Sequence, residues 1–357
     1  KFITQSSYAP KILKWNQQFV GNTLILYDDY PTAIVDMDLF EDNESLYSLL
    51  VHELFHGYQF LKNEERFPDE VQGFLYPVLK ENVEMRIQER EYLFRAVNSK
   101  SRAEREGCIN NFVALREKRA NQMKDYQLYE NLIETIEGPA WYVELKAYYK
   151  KSLQPYEKVL EKYRKSLLDH FQSSSHIRAS CYSSGLFICL LLEDISPNWQ
   201  ENYFNTEDSL FEFFKQQFSA LKKIEINDLA ISKETEAIVE FVINNKEKAL
   251  KKFSAKPGFH LYVDGHISIK SFDPMNIISL QNQFLHKNYL KVGIGNCEYL
   301  IQQPVIAYSI EHFRNISRLH LILDKKPVVN SDSLSIDGVG EIIGYYNEQE
   351  GVLYVSN

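Results

Sequence analysis

Cysteine is scarce in this sequence, and the cysteines that occur show no regular spacing. The 357 residues contain four of them: Cys108, Cys181, Cys189 and Cys297. A small disulfide-stabilised protein carries more cysteines in a pattern, and a cysteine zinc site uses CxxC pairs, which this sequence lacks. The sequence therefore predicts neither a disulfide framework nor a cysteine-pair metal site.

Long apolar runs and an excess of positive charge are also missing. The apolar stretch "SSGLFICLLLED" is shorter than the roughly 18 residues that a membrane-spanning helix needs. The net charge is −9, and no basic stripe with interleaved aromatic residues occurs. Proteins that bind nucleic acid usually carry such a basic surface. We therefore expect no transmembrane segment and no nucleic-acid partner.

The sequence leaves the compartment open. The chain begins with Lys1 rather than Met, so a signal peptide removed before this point would leave no trace. A cytoplasmic location is slightly favoured, and an extracytoplasmic location after removal of a signal peptide is the alternative. Nothing in the sequence predicts the oligomeric state.

The hydrophobic pattern changes near residue 254. Residues 1–253 have mostly helical periodicity, after a lead-in, "NTLILYDDYPTAIVDMDLF", that predicts two strands with a turn near Asp28, Asp29 and Pro31. A helix is predicted to follow, with Asp42 or Asn43 as its cap. Residues 254–357 consist of short alternating runs, and "FHLYVDGHISIKSF" predicts a hairpin at Asp264-Gly265. A chain of this length can form two domains. We therefore predict an α+β protein: a mainly helical domain (1–253) with a small N-terminal β element, then an all-β domain (254–357).

The stretch "SLLVHELFHGYQFL" (residues 48–61) places polar side chains inside an otherwise apolar helix. His52 and His56 are one turn apart, so both rings project from the same helix face. Two such histidines can bind one zinc ion, and Glu53 between them can accept a proton from a zinc-bound water. The alternative is a core helix with polar interruptions, but buried polar groups without partners are costly. The motif therefore predicts a zinc site.

A third protein ligand is needed beside His52 and His56. The metzincin pattern would require glycine and histidine where this chain has Gln59 and Lys62, so that class is excluded. A downstream glutamate is the alternative, and spacing alone favours the nearer ones without deciding among them. The candidates are Glu81, Glu84, Glu130, Glu134, Glu137 and Glu144.

The motifs "HELFHGYQ" and "IEGPAWYVE" together resemble the gluzincin zinc peptidases, whose second helix carries a Glu-Gly-x-Ala-x-Tyr signature. The closest resemblance is to bacterial zinc peptidases of the peptidase-MA-like family. Weaker similarity extends through "RASCYSSGLFICLLLEDISPNWQENYF" and "SFDPMNIISL". The resemblance implies a zincin-like catalytic domain, a bound Zn²⁺ and Glu137 as the third ligand.

Pro139 departs from the family pattern, which usually has leucine or a similar helix former at that position. Proline lacks an N–H and is tolerated mainly in the first turn of a helix. We therefore expect the ligand helix either to begin near Glu137 or to kink there. If a kink turned Glu137 away, Glu134 would lie one turn earlier on the same face and could replace it.

A zinc peptidase also needs hydrogen-bond donors for the oxyanion that forms during the reaction. Arg178 and Tyr182 lie one turn apart in the segment that resembles the family's Tyr-x-x-Gly helix, and Tyr142 is a further candidate. Glu144, about two turns after Glu137, can accept the second N–H of a ligating histidine. The strand "TAIVDM" resembles the edge strand along which such enzymes bind extended peptides.

Together these features predict a zinc metallopeptidase that acts on a peptide or protein substrate. Zn²⁺ held by His52, His56 and Glu137 would make a bound water acidic, and Glu53 would act as the general base. Two alternatives remain: a non-catalytic zinc-binding or peptide-binding protein, and a specialised processing protease for one partner protein or leader peptide. Glu53 argues against the first, since a structural zinc ion needs no base. A specialised processing protease would use the same site residues as a general peptidase, so the sequence does not distinguish the two.

Overall fold

The computed structural model describes residues 2–4, 11–14, 19, 21–218, 221, 224–226 and 229–355. The chain divides into two compact units, the first made of Lys1–Pro68 and Glu84–Ala230, the second of Asp69–Val83 and Ile231–Asn357. Helices build most of the first unit, and most strands belong to the second. The predicted α+β class is confirmed. The second unit contains residues 69–83 and 231–253 in addition to residues 254–357, the range predicted for the β domain.

The helices range from single turns to the 28-residue α5. In chain order they are α1 (Asn43–Leu61), α2 (Val71–Leu75), α3 (Lys80–Asn98), α4 (Arg102–Gln122), α5 (Lys124–Lys151), α6 (Tyr156–Leu168), α7 (His170–Ser175), α8 (Ile177–Ile195), α9 (Trp199–Tyr203), α10 (Leu210–Gln216) and α11 (Lys233–Ser254). Within the described residues, no helix is both long enough and apolar enough to cross a membrane.

In the described residues before α1, the chain forms two short antiparallel strand pairs. They are β1 (Phe2–Thr4) with β2 (Lys11–Leu13), and β3 (Thr23–Tyr27) with β4 (Tyr30–Ile34). Asp28 and Asp29 form the turn between β3 and β4, and both have positive φ, 49° and 64°. A two-residue hairpin turn of this kind needs left-handed backbone at both positions, which aspartate tolerates better than most residues. The predicted turn is confirmed.

Helix α1 starts where the sequence predicts. The Asp42 carboxylate caps the helix by accepting a hydrogen bond from the Ser45 N–H at 2.5 Å. One side of α1 contacts β3 and β4, and another side contacts α5. The helix that carries the two histidines is therefore held between the strand pair and the helical core.

The long helices α5 and α8 pack against each other in the centre of the first unit. Residues 186–192 of α8 are all buried, as its apolar composition predicts. Gly138 of α5 faces Gly185 of α8, and a Cβ atom on either glycine would lie 2.7 Å from the Cα atom of the other. Only glycine permits so close an approach of two helices. The crossing brings Arg178, near the start of α8, into contact with Glu137 of α5.

The second unit is built around a nine-stranded sheet. Its order is β15-β16-β5-β11-β10-β7-β6, with β8 pairing with β5 and β9 with β8, while β12, β13 and β14 form a separate sheet. The strands are β5 (Phe259–Phe272), β6 (Ile277–Leu280), β7 (Gln283–His286), β8 (Leu290–Ile294), β9 (Cys297–Ile301), β10 (Val305–Ser309), β11 (Asn315–Leu323), β12 (Val328–Val329), β13 (Ser333–Ile336), β14 (Gly340–Ile343), β15 (Tyr345–Asn347) and β16 (Val352–Tyr354). Leu250 and Phe253 of α11 pack against Leu285 and Ile306 of this sheet.

The hairpin predicted at Asp264-Gly265 is wrong. Strand β5 continues through both residues, and its register with β11 shifts at this point. Gly265 has a φ of +148°, and a Cβ atom there would lie 2.8 Å from the Val355 carbonyl oxygen. The glycine therefore forms a bulge, beyond which β5 pairs with β8 instead of β16. Long-range strand pairing overrides the local turn signal of the Asp-Gly pair.

Candidate metal centre

Helix α1 presents His52 and His56 on one face. Their Nε2 atoms are 3.1 Å apart, and the two rings meet edge to face. His52 is only 4% exposed, and the His56 side chain is 19% exposed. The spacing of one helical turn therefore directs both rings toward a common point in a largely buried place.

Glu137 of α5 completes a group of three donor atoms. Its Oε2 atom lies 3.5 Å from His52 Nε2 and 3.4 Å from His56 Nε2. A tetrahedral zinc ion, with ligand bonds of about 2.0–2.1 Å, keeps its ligand atoms about 3.3–3.4 Å apart. Glu137 Oε2 is buried and accepts no hydrogen bond from the described part of the chain. The group of His52, His56 and Glu137 can therefore bind a metal ion.

Opposite charges compensate one another in this buried group when no metal is bound. Burial alone would lower the pKa of His52, but its contacts with Glu137 and Glu144 raise it to about 9. Burial alone would raise the pKa of Glu137, but its contacts with His52 and His56 and the charge of Arg178 hold it well below its usual range. A proton thus provides the positive charge that a metal ion would otherwise supply.

Glu134, the alternative ligand, is engaged elsewhere. It is fully buried and accepts two hydrogen bonds from Arg116, one of them at 3.0 Å. The structure therefore brings Glu137, and not Glu134, to the two histidines. Two further candidates of the first unit also bond elsewhere, Glu130 to Arg119 and Glu84 to Gln88.

Pro139 lies inside α5, so the helix does not begin near Glu137, which was one of the two expectations. The helix runs unbroken from Lys124 to Lys151. Proline has no N–H for the carbonyl one turn earlier, which here belongs to Thr135. The Tyr203 hydroxyl of α9 donates to that carbonyl at 3.1 Å. A side-chain hydrogen bond thus replaces the missing backbone one, and the turn that carries Glu137 stays helical.

His52 is oriented by Glu144, the residue that the sequence suggested for this role. His52 Nδ1 and Glu144 Oε2 are 3.0 Å apart, and the Tyr163 hydroxyl of α6 donates to Glu144 Oε1 at 3.1 Å. An ionised carboxylate can only accept, so His52 carries its hydrogen on Nδ1 when the ring is neutral. This leaves the Nε2 lone pair free for a metal ion.

His56 is oriented by Gln59, a residue that the sequence reasoning missed. His56 Nδ1 lies 2.8 Å from Gln59 Oε1, and Gln59 Nε2 donates to the Ile136 carbonyl of α5 at 2.9 Å. The available signal was a polar residue three positions after His56, on the same face of a helix. In the sequence alone, Gln59 only excludes the metzincin pattern.

Arg178 and Tyr182 of α8 lie beside the metal-binding group. Arg178 Nη2 donates to Glu137 Oε1 at 3.1 Å, and Arg178 Nη1 donates to the Tyr182 hydroxyl. The Tyr182 ring stacks on His52 with 6.4 Å between the ring centres. Tyr142, the third candidate, is part of the hydrophobic core instead. The roles of Arg178 and Tyr182 as oxyanion donors stay predictions.

Glu53 lies between the two histidines in the sequence and is 7% exposed. Burial raises the pKa of its carboxyl, nearby His52 and His56 oppose that rise, and the charge of Glu137 adds to it. Glu53 is therefore close enough to all three donor residues for their charges to change its pKa. A carboxylate with a raised pKa is a stronger base than one in water.

No family model, no curated protein and no solved structure matches this chain. The resemblance to the gluzincin peptidases therefore stays a prediction, which depends on two short motifs. The function has to be inferred from the geometry and chemistry of the site.

Proposed function

We propose that this protein is a zinc-dependent hydrolase that cleaves peptide bonds. The observation that carries the proposal is the arrangement of His52, His56 and Glu137, whose three donor atoms lie 3.1–3.5 Å apart beside Glu53. Two histidines and one glutamate are the ligands of a known class of catalytic zinc sites.

The number of ligands supports a catalytic rather than a structural role. Structural zinc sites are usually closed by four protein ligands, whereas catalytic sites keep one position for water or substrate. In the described part of the chain, the group that can bind a metal has three members. The soft thiolate ligands that mark many structural sites do not belong to this group.

A zinc ion in this place would act as a Lewis acid and make a water molecule acidic near neutral pH. The Glu53 carboxylate would accept the proton of that water and later pass it to the leaving amine. Its burial supports this role, because a raised pKa makes the carboxylate a better proton acceptor. His52 and His56 would bind the zinc ion through Nε2, while Glu144 and Gln59 hold their Nδ1 atoms.

Tyr182 and Arg178 would stabilise the oxyanion of the scissile peptide. Burial raises the pKa of the Tyr182 hydroxyl, so the hydroxyl keeps its proton and can donate a hydrogen bond. The Arg178 guanidinium is permanently charged and already bonded to both Tyr182 and Glu137. Donors that are fixed in place before the reaction stabilise developing charge most effectively.

Strand β4 offers a place for the substrate backbone. Among the described strands, β4 pairs only with β3, and it lies against α1. An unpaired strand edge can bind an extended peptide through backbone hydrogen bonds. Such binding selects extended peptides and leaves the choice of side chain to other contacts.

The proposal is tested by replacing the general base. The Glu53→Gln variant should bind zinc like the wild type but lose hydrolysis of a peptide library by about 100-fold to 10,000-fold. Glu44→Gln, on the same helix, is the matched control and should retain full activity. Zinc content is measured by mass spectrometry, and cleavage by mass spectrometry of the library with and without chelator. Full activity of Glu53→Gln, or zinc binding without any cleavage by the wild type, would contradict the proposal.

A further inference from the structure

We propose that Gln59 is a positioning residue that sets the tautomer of His56. Its own orientation is fixed by a hydrogen bond to a backbone carbonyl of α5. The inference rests on the proposed metal site, but not on peptide hydrolysis. Gln59 is 3% exposed, and its amide bridges His56 and the Ile136 carbonyl with distances of 2.8 and 2.9 Å.

The direction of each hydrogen bond follows from the chemistry of the carbonyl group. The Ile136 carbonyl can only accept, so the Gln59 atom that faces it must be the amide nitrogen. The amide oxygen then faces His56, and an amide oxygen can only accept. The His56 nitrogen beside it, Nδ1, must therefore carry the hydrogen. His56 Nε2 is left with a free lone pair, directed toward His52 and Glu137.

The bridge also connects two metal ligands that belong to different helices. Ile136 immediately precedes Glu137, so the turn of α5 that carries one ligand also orients another ligand on α1. Side chains from outside the helix bind two successive carbonyls of this turn. The Tyr203 hydroxyl donates to the Thr135 carbonyl, which has no helical partner because Pro139 lacks an N–H. The Gln59 amide donates to the next carbonyl, that of Ile136.

Gln59 and Glu144 hold the two histidines in different ways. Glu144 presents an anionic oxygen to His52, whereas Gln59 presents a neutral oxygen to His56. A neutral amide adds no charge to the site, so its contribution is direction and tautomer. Partners of this kind usually affect metal affinity by about 10-fold to 100-fold when they are removed.

The first test needs no variant. In the metal-free wild type, ¹⁵N NMR of the histidine side chains distinguishes the two neutral tautomers of His56. We expect the tautomer with hydrogen on Nδ1 to predominate at a pH where the His56 ring is neutral. Predominance of the Nε2–H tautomer would overturn the inference.

The second test compares two buried glutamines. Gln59→Met keeps the approximate volume of the side chain but removes the bridge, and Gln127→Met makes the same change at a buried position of α5 outside the site. Gln59→Met should give a mixture of His56 tautomers and weaken zinc binding about 10-fold to 100-fold in a chelator competition. Gln127→Met should leave the His56 tautomer and zinc affinity unchanged.

The outcomes separate this inference from the proposed function. If Gln59→Met and Gln127→Met lower the thermal midpoint alike and neither changes the tautomer or the zinc affinity, Gln59 is a packing residue and the inference fails. A wild type that binds zinc but cleaves no peptide contradicts the proposed function and leaves the role of Gln59 intact. If Gln59→Met does not fold, the tautomer of the wild type decides.

Discussion

Arg178 holds one oxygen of Glu137 while the other oxygen faces the two histidines. Arg178 Nη2 donates to Glu137 Oε1 at 3.1 Å, and Glu137 Oε2 is the atom that joins the metal-binding group. A carboxylate fixed at one oxygen cannot rotate freely, so its second oxygen keeps its direction. Arg178 therefore positions a member of the group that can bind a metal ion, in addition to its predicted role toward the oxyanion.

This arrangement predicts the effect of replacing Arg178 with lysine. A lysine ammonium is a point charge and cannot span both Glu137 and Tyr182 as the planar guanidinium does. Arg178→Lys should keep the charge of the site, yet weaken zinc binding by about 10-fold or more in a chelator competition. Arg102→Lys, at an exposed ion pair with Glu106, is the control and should leave zinc affinity unchanged. Equal affinity in both variants would mean that Arg178 does not position Glu137.

Replacing Glu134 and replacing Glu137 should have opposite effects on fold stability and zinc binding. Glu134→Gln removes the charge that two Arg116 hydrogen bonds hold in a fully buried place. We expect it to destabilise the fold by about 3–5 kcal/mol, measured by denaturant unfolding. Glu137→Gln should abolish high-affinity zinc binding and change the free energy of unfolding of the metal-free protein less. Loss of zinc binding in a folded Glu134→Gln variant, with zinc retained in Glu137→Gln, would reverse the assignment.

Local sequence patterns were sufficient to predict the elements that short-range chemistry determines. The turn at Asp28-Asp29, the cap at Asp42 and the change from helices to strands were all predicted. The HExxH spacing also predicted that His52 and His56 would share a helix face, because that follows from helix geometry.

The features that the sequence did not predict depend on contacts between segments that are far apart in the chain. Glu134 and Glu137 are three residues apart on one helix, and the contacts of Glu134 with Arg116 of α4 and Ser184 of α8 separate their roles. Gln59 could be recognised only when the Ile136 carbonyl of another helix was seen beside it. The Asp264-Gly265 pair was misread for the same reason, since β16 lies against it from the far end of the chain.

The crossing of α5 and α8 should not tolerate a single added methyl group. Gly138→Ala or Gly185→Ala would place Cβ 2.7 Å from the backbone of the other helix, and backbone cannot give way as a side chain can. Either change should lower the thermal midpoint and displace Arg178 from Glu137, which should also weaken zinc binding. Gly107→Ala is the control, because nothing lies within 4 Å of its added Cβ in α4. That control should stabilise the fold by about 0.5–1 kcal/mol.

Zinc binding should depend on pH through His52. In the metal-free protein the pKa of His52 is raised to about 9, so below that pH zinc must displace a proton from its Nε2 atom. Zinc affinity should therefore rise as the pH increases toward 9 and level off above it.

Calorimetry can count the proton that zinc displaces. Near neutral pH, binding should release about one proton from His52, measured by titration in two buffers with different heats of ionisation. Glu144→Gln removes one of the carboxylates that raise the pKa of His52, so this variant should release fewer protons and reach its plateau at lower pH. An affinity that stays constant from neutral pH to pH 9 would mean that zinc displaces no proton from His52 in this range, which contradicts the combination of a raised His52 pKa and His52 as a ligand.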